Sequence, residues 1–106
     1  MPLFGFWYWV QSVGGIAGIT QTPATVGYTR IFAFDGIGNF YEFRNNVLLN
    51  RARYRVVTKP TIFGTTSQVL EVTGYPDMIV SFPNFRTMVL TENVFDGFTL
   101  TFIRIF

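Results

Sequence analysis

The side chains best suited to acid or base chemistry in this sequence are six carboxylates, and their positions do not favour catalysis. The three aspartates stand beside Gly or Pro in predicted turns, where such side chains cap backbone groups: Asp35, Asp77 and Asp96. The three glutamates show no spacing that predicts a paired acid and base. We therefore expect no enzymatic activity and no catalytic residues.

Metal and nucleophile chemistry is limited by two residue types that the sequence lacks. It has no histidine, the commonest metal ligand and general base, and no cysteine, the source of thiolates and disulfides. Zinc sites and Ser-His-Asp triads are therefore excluded. We expect no metal site and no cofactor.

The charge of the chain does not favour a polyanionic partner. The formal net charge is only +2, and the basic residues are spread along the chain from Arg30 to Arg104. Nucleic-acid binding normally needs a clustered basic patch, so we expect no nucleic-acid partner. Three arginines alternate between Arg51 and Arg55, which favours a solvated outer face of a strand.

The elements that must position these side chains are organised around the densest aromatic run, Gly5–Val10. Alternation along a strand places Gly5, Trp7 and Trp9 on one face and the remaining aromatic residues on the other. Both faces are apolar, which is typical of a covered strand. We predict that this run is the first strand of the fold.

The stretch Ser12–Gly27 contains several glycines and Pro23, and we predict a long irregular connection there. Apolar side chains at Ile16 and Ile19 allow it to pack as a lid or plug over one end of the sheet. A mobile portal for a ligand is an equal alternative. No helical period of useful length appears.

The rest of the chain alternates short apolar runs with turn residues, as in an all-β sandwich or barrel. The predicted strands after the first are Tyr28–Phe34, Phe40–Arg44, Arg51–Thr58, Gln68–Thr73, Met78–Phe82, Arg86–Thr91 and Phe98–Phe106. Eight apolar strands with free edges would aggregate, whereas closure removes the edges. We predict one domain over residues 1–106, an eight-stranded antiparallel up-and-down barrel.

Two registers follow from this arrangement. Pairing about an Asn45–Asn50 turn sets Glu42 opposite Arg53 and Tyr41 opposite Tyr54, with charge outside and rings inside. Closure brings the last strand beside the first, so Arg104 is expected over an indole ring, a cation–π contact worth about 0.5–2 kcal/mol.

Short motifs resemble a known family. Gly5-Phe6-Trp7 together with Arg104 resembles the G-x-W motif and closing arginine of the lipocalins, part of the calycin superfamily. Three stretches resemble small bacterial lipocalin-like domains in particular: Trp9–Gly18, Phe34–Phe40 and Phe98–Arg104. The resemblance implies a barrel closed by Gly5 and Arg104 that carries a small apolar molecule. A typical lipocalin is longer and has a helix beside its barrel.

The predicted ligand-binding residues line the barrel interior: Trp7, Trp9, Arg30, Phe32, Tyr41, Tyr54, Met88, Leu90, Leu100 and Phe102. Arg30 shares a face with Phe32, although the opposite orientation, toward solvent, is also open. Eight strands enclose an interior that side chains fill or that holds one small ligand.

Two functions are therefore expected. The chain either binds a small apolar or aromatic molecule inside the barrel, or is a filled-core structural or interaction module able to form a homo-oligomer. We expect a bacterial protein exported to the periplasm or cell surface, its targeting peptide absent from this sequence. No apolar run reaches ~20 residues, and several strands are shorter than the ~9–11 residues of membrane barrels, so we expect no membrane span.

Overall fold

The computed structural model describes residues 3–105 and contains nine strands and one short helix in that range. The elements are β1 (Gly5–Gly14), β2 (Ile19–Gln21), α1 (Pro23–Val26), β3 (Arg30–Phe34), β4 (Asn39–Arg44), β5 (Val47–Pro60), β6 (Thr66–Val72), β7 (Met78–Asn84), β8 (Thr87–Glu92) and β9 (Phe98–Arg104). The last residue of the predicted final strand, Phe106, lies outside the described residues. No helix between residues 3 and 105 has the length and hydropathy needed to cross a membrane.

The strands form a closed antiparallel barrel. From β3 to β9 each strand pairs with its neighbours in the chain, β1 pairs with β3, and β9 returns to pair with β1. The predicted eight-stranded up-and-down barrel is confirmed. The ninth strand, β2, lies outside this ring order and pairs only with the end of β1, at Ser12–Gly14.

β1 sends its tryptophans inward, as its alternation predicts. Gly5, Trp7 and Trp9 are buried, whereas Phe6 is exposed. A bulge between Trp9 and Gln11 sets two residues of β1 against one of β9, which keeps Ser12 on the inner face. Ser12 Oγ there accepts a 2.8 Å hydrogen bond from Trp9 Nε1, so the buried indole N–H is satisfied.

The predicted irregular connection over Ser12–Gly27 is wrong for most of its length. β1 continues to Gly14, a turn leads into β2, and α1 follows with Thr22 as its N-cap. Gly14 has φ +147°, and a Cβ there would lie 2.3 Å from the carbonyl oxygen of Gly97. Glycine therefore indicates a close approach between the end of β1 and the turn before Phe98 at this position, not a loop.

The hairpin between β4 and β5 is tighter than predicted. Asn45 and Asn46 have φ values of 50° and 64°, the left-handed pair that a two-residue hairpin turn requires. β5 therefore begins at Val47, and the observed register pairs Tyr41 with Arg51 and Glu42 with Asn50. The predicted register, Glu42 with Arg53 and Tyr41 with Tyr54, is wrong, and the inward face of β4 changes with it.

Candidate functional site

The structure places nine of the ten predicted ligand-binding residues on the inner face of the barrel. They are Trp7, Trp9, Arg30, Phe32, Tyr54, Met88, Leu90, Leu100 and Phe102. Arg30 takes the inward orientation, with its guanidinium carbon 5.3 Å from the ring centre of Trp9 and 5.3 Å from that of Phe32. Their role in binding stays a prediction.

Tyr41 is the exception, and its predicted interior position is wrong. Its neighbours Phe40 and Glu42 are both buried, so alternation turns Tyr41 to the outside of β4. There it pairs with Ala33 on one side and Arg51 on the other. The error follows from a bulge between Glu42 and Phe43, because it shifts the pairing of β4 with β5 by one residue and so exchanges the face of β4 that lies inside.

The middle of the barrel is occupied by side chains. Phe32 lies 4.7 Å from Phe102 and 4.9 Å from Phe40 between ring centres, and Phe40 lies 5.0 Å from Tyr75. These separations are those of rings in direct contact. The largest fully buried side chains are Trp7, Trp9, Phe32, Phe40, Phe102, Leu3, Leu70, Met88, Leu90 and Val69. All of them except Val69 belong to one buried hydrophobic cluster.

The closed end is formed where the first and last strands meet. Arg104 pairs with Trp7, and its guanidinium carbon lies 4.3 Å from the centre of the indole ring. Arg104 Nη1 also donates a 2.7 Å hydrogen bond to the carbonyl oxygen of Phe4, while Trp7 Nε1 donates to the carbonyl oxygen of Leu3 at 2.9 Å. The Arg104 guanidinium and the Trp7 indole N–H therefore both donate hydrogen bonds to backbone carbonyl oxygens of residues that precede β1.

The opposite end of the barrel, here called the open end, carries a polar group of four residues, the open-end cluster, in which Glu42 is buried, Arg30 and Tyr75 are half-buried and Asn50 is exposed. Glu42 Oε2 accepts a 3.0 Å bond from Arg30 Nε, and Glu42 Oε1 accepts a 2.5 Å bond from the hydroxyl of Tyr75. Asn50 Nδ2 donates to that hydroxyl oxygen at 3.2 Å. Burial and the bond to Glu42 raise the pKa of Tyr75 to about 12.

Sequence reasoning missed Glu42 and Tyr75 as interior residues. Glu42 was expected outside, yet only 4% of it is exposed, and Tyr75 was assigned to the turn after β6. The spacing Phe40-x-Glu42 does carry a signal, because both residues must share a face of β4. Tyr75 has no comparable signal, because its ring reaches Phe40 and Phe32 only through the tertiary fold.

A second arginine lies beside the open-end cluster. Arg44 is the Cα partner of Arg30 in the register of β3 and β4, and it follows Glu42 by two residues on the inner face. Its guanidinium carbon lies 4.1 Å from the ring centre of Tyr28. Arg44 Nε is buried and has no hydrogen-bond partner among the described residues.

The outer face of β1, β3 and β4 carries an apolar depression, here called the outer aromatic groove. Phe6, Ala33 and Tyr41 lie in one row across the three strands, and the small Ala33 leaves space between two rings. Phe4, 63% exposed, and Arg104 stand at the groove rim. The groove has a volume of about 370 Å³ and is lined by Phe4, Gly5, Phe6, Ala33, Phe34, Asp35, Tyr41 and Arg104.

The alternating arginines of β5 lie outside, where they were expected, but their partners differ from the predicted Glu42. Arg55 Nε lies 2.6 Å from Glu71 Oε1, and Lys59 Nζ lies 2.6 Å from both Glu71 Oε2 and Asp77 Oδ2. These hydrogen bonds lower the pKa of Glu71 and raise that of Lys59. This charged cluster ties β5 to β6 and to the start of β7.

Neither a metal centre nor similarity to a known protein identifies the function of this chain. Among residues 3–105, no group of three or more Asp, Glu, His or Cys side chains is close enough to hold a metal ion. No family model, curated protein or solved structure matches this chain. The closed barrel is compatible with a lipocalin-like fold.

Proposed function

We propose that this chain is a filled β-barrel that binds a small apolar or aromatic molecule in its outer aromatic groove. The observation that carries the proposal is the contrast between the interior and that groove. Large aromatic side chains in mutual contact occupy the interior, whereas about 370 Å³ of apolar-walled space lies on the outer face. Small-molecule sites typically measure ~300–1,000 Å³ and have mainly apolar walls.

The walls of the groove support an apolar or aromatic molecule as its occupant. Most of the groove surface is apolar, and the carboxylate of Asp35 is already engaged by the backbone N–H groups of Ile37 and Asn39 and by the side chain of Asn39. A molecule in this groove would therefore be held mainly by apolar contact. Phe4 and Phe6 are exposed beside it, so a bound ring would cover apolar surface that now faces water.

We further propose that the barrel is related to the lipocalins. The support is the pairing of Gly5-Phe6-Trp7 with Arg104 at the closed end, where the arginine covers the indole. In a lipocalin the ligand lies inside the barrel, so carriage in the interior is the alternative. The specific observation that favours this alternative is the set of polar side chains at the open end.

The test is a fluorescence titration with the neutral probe N-phenyl-1-naphthylamine. We expect saturable one-to-one binding, lost in Ala33→Leu, because a larger side chain at the groove floor occupies the space between Phe6 and Tyr41. The matched control is Thr101→Leu on β9, which leaves the groove untouched. Phe4→Ser provides a second groove variant, and circular dichroism confirms that each variant is folded.

Three outcomes would contradict the proposal. Absence of saturable binding by the folded wild-type protein would exclude the small molecule. Equal affinity of Ala33→Leu and the wild type would place the probe elsewhere, and loss of binding only in Leu100→Ala would place it in the barrel interior. Dimerisation that is abolished by Phe4→Ser would make the groove a surface for a second copy of the chain.

A further inference from the structure

The open end of the barrel holds more positive charge than its own carboxylates neutralise. Arg30 and Arg44 are directly opposed on the inner face of β3 and β4. Side chains in such a pair have their Cβ atoms ~4.5–5.5 Å apart, and like charges at that separation destabilise a sheet. The two arginine side chains therefore leave the backbone side by side at this end of the barrel.

Glu42 does not balance both arginines. Its two carboxylate oxygens are engaged by Arg30 Nε and by the Tyr75 hydroxyl. Among the described residues, no carboxylate oxygen lies within 4.0 Å of a nitrogen of Arg44. The two arginines and Glu42 together leave a net charge of about +1 at the open end.

Arg44 also has an unused hydrogen-bond donor. Its Nε is buried without an acceptor in the described chain, which is a destabilising arrangement for a charged group. Its guanidinium carbon lies over the ring of Tyr28, which supports the planar group from one side. The side chain is therefore held in place but lacks an anionic partner.

We propose that the open end binds a small organic carboxylate, with its oxygens between the guanidinium groups of Arg44 and Arg30. A planar carboxylate matches the forked donors of arginine, and its single charge equals the excess at the site. Phosphate carries a larger negative charge than this excess. The site borders solvent, because Asn50 is exposed and 19% of the Arg30 side chain is exposed.

The proposal is independent of the outer aromatic groove, which lies on the other face of the sheet. Benzoate and benzamide form a matched probe pair, since they differ in charge but not in shape. In a calorimetric titration at low salt, we expect benzoate to bind at least about tenfold more tightly than benzamide, and more weakly as salt is added. Benzoate should also raise the unfolding temperature.

Substitutions of Arg44 test whether benzoate binds at the open end. Arg44→Gln should weaken benzoate binding by about tenfold or more, whereas Arg44→Lys keeps the charge and loses only the forked geometry, so a smaller loss is expected. Arg51→Gln, on the exposed outer face of β5, is the control and should bind benzoate as the wild type does. Ala33→Leu should likewise bind it normally.

Equal affinity for benzoate and benzamide, or no benzoate binding by the folded protein, would overturn the carboxylate site. An unchanged affinity in both Arg44 variants would overturn its location. Inorganic phosphate that binds as tightly as benzoate would overturn the assignment to a singly charged anion. None of these results bears on the groove, which the neutral probe tests separately.

Discussion

Single residues in this barrel show how a charged group is tolerated on an apolar inner face. Glu42 is buried, yet both of its carboxylate oxygens accept hydrogen bonds, from Arg30 and from Tyr75. Burying an unpaired charge is very costly, whereas a paired and hydrogen-bonded carboxylate is tolerated. The open-end cluster is therefore a set of interdependent groups, in which the loss of one leaves another unsatisfied.

Tyr75→Phe should change how stability depends on alkaline pH. The pKa of Tyr75 rises from 10.0 to about 12 in the folded state, so the native protein retains a proton that the unfolded chain loses. Stability is therefore present below the unfolded pKa and falls as pH rises through the interval between the two values. Urea unfolding at about pH 9 and about pH 11 should show a smaller decline in the variant than in the wild type.

Because Tyr75→Phe also removes the bond to Glu42, the informative quantity is the difference between the two pH values, not the stability at either one. An equal decline in both proteins would show that Tyr75 keeps an ordinary pKa. That result would also argue against its enclosure beside Phe32 and Phe40.

At the scale of elements, the barrel depends on close contact between the end of β1 and the turn that precedes β9. β1 and β9 pair along their length through the bulge at Trp9 and Gln11, and at the open end Gly14 lies against Gly97. The turn after Gly14 leads into β2, which pairs with the same end of β1. Glycines in this stretch therefore have two distinct roles, close contact at Gly14 and a turn at Gly18.

Substitution of these two glycines should separate the roles. Gly14→Ala places a Cβ 2.3 Å from the Gly97 carbonyl oxygen at φ +147°, and we expect a loss of about 2–5 kcal/mol in the free energy of unfolding. Gly18→Ala has φ +63° but open space around it, so only the backbone penalty of about 1–2 kcal/mol is expected. Denaturant unfolding measures both.

Gly18→Ala is the matched control, because it adds the same methyl group at another positive φ. Similar losses in the two variants would show that Gly14 and Gly97 do not approach closely. The contact between β1 and the turn before β9 would then be looser than described.

At the scale of the whole molecule, the barrel is a packed core surrounded by one sheet. Phe32 contacts both Phe40 and Phe102, so its ring connects β3 to β4 and, past β1, to β9. Close-packed interiors respond strongly to the removal of a large side chain, because the surrounding structure collapses only in part. The filled core accounts for stability, and the proposed binding sites are the groove and the open end.

Adjacent residues of β4 provide a test of this filled interior. Phe40→Ala should lower the free energy of unfolding by about 3–5 kcal/mol, because it removes a fully buried ring. Tyr41→Ala should cost only about 1 kcal/mol, since Tyr41 lies on the partly exposed outer face. Urea denaturation of both variants makes the comparison, and the reverse order would restore the register with Tyr41 inside.

The sequence predicted much of the fold and less of the candidate site. Alternation and turn spacing predicted the inward face of β1 and the meander of strands. Closure of that meander predicted the stacking of Arg104 on an indole. The inward face of β4 was not predicted correctly, because it depends on the bulge between Glu42 and Phe43, which shifts the pairing of β4 with β5 by one residue. Tyr41, which was predicted inside the barrel, therefore lies outside, and Glu42, which was predicted outside, lies inside.

By itself the sequence determined the fold class and the antiparallel order of the strands, because these depend on local periodicity and on the number of apolar residues that need burial. Only the tertiary structure decided where Glu42, Tyr75 and Arg44 lie relative to one another. It also revealed the groove over Ala33, since a space between strands exists only once their register is set. Register and cross-barrel contact are long-range properties, and no local pattern specifies them fully.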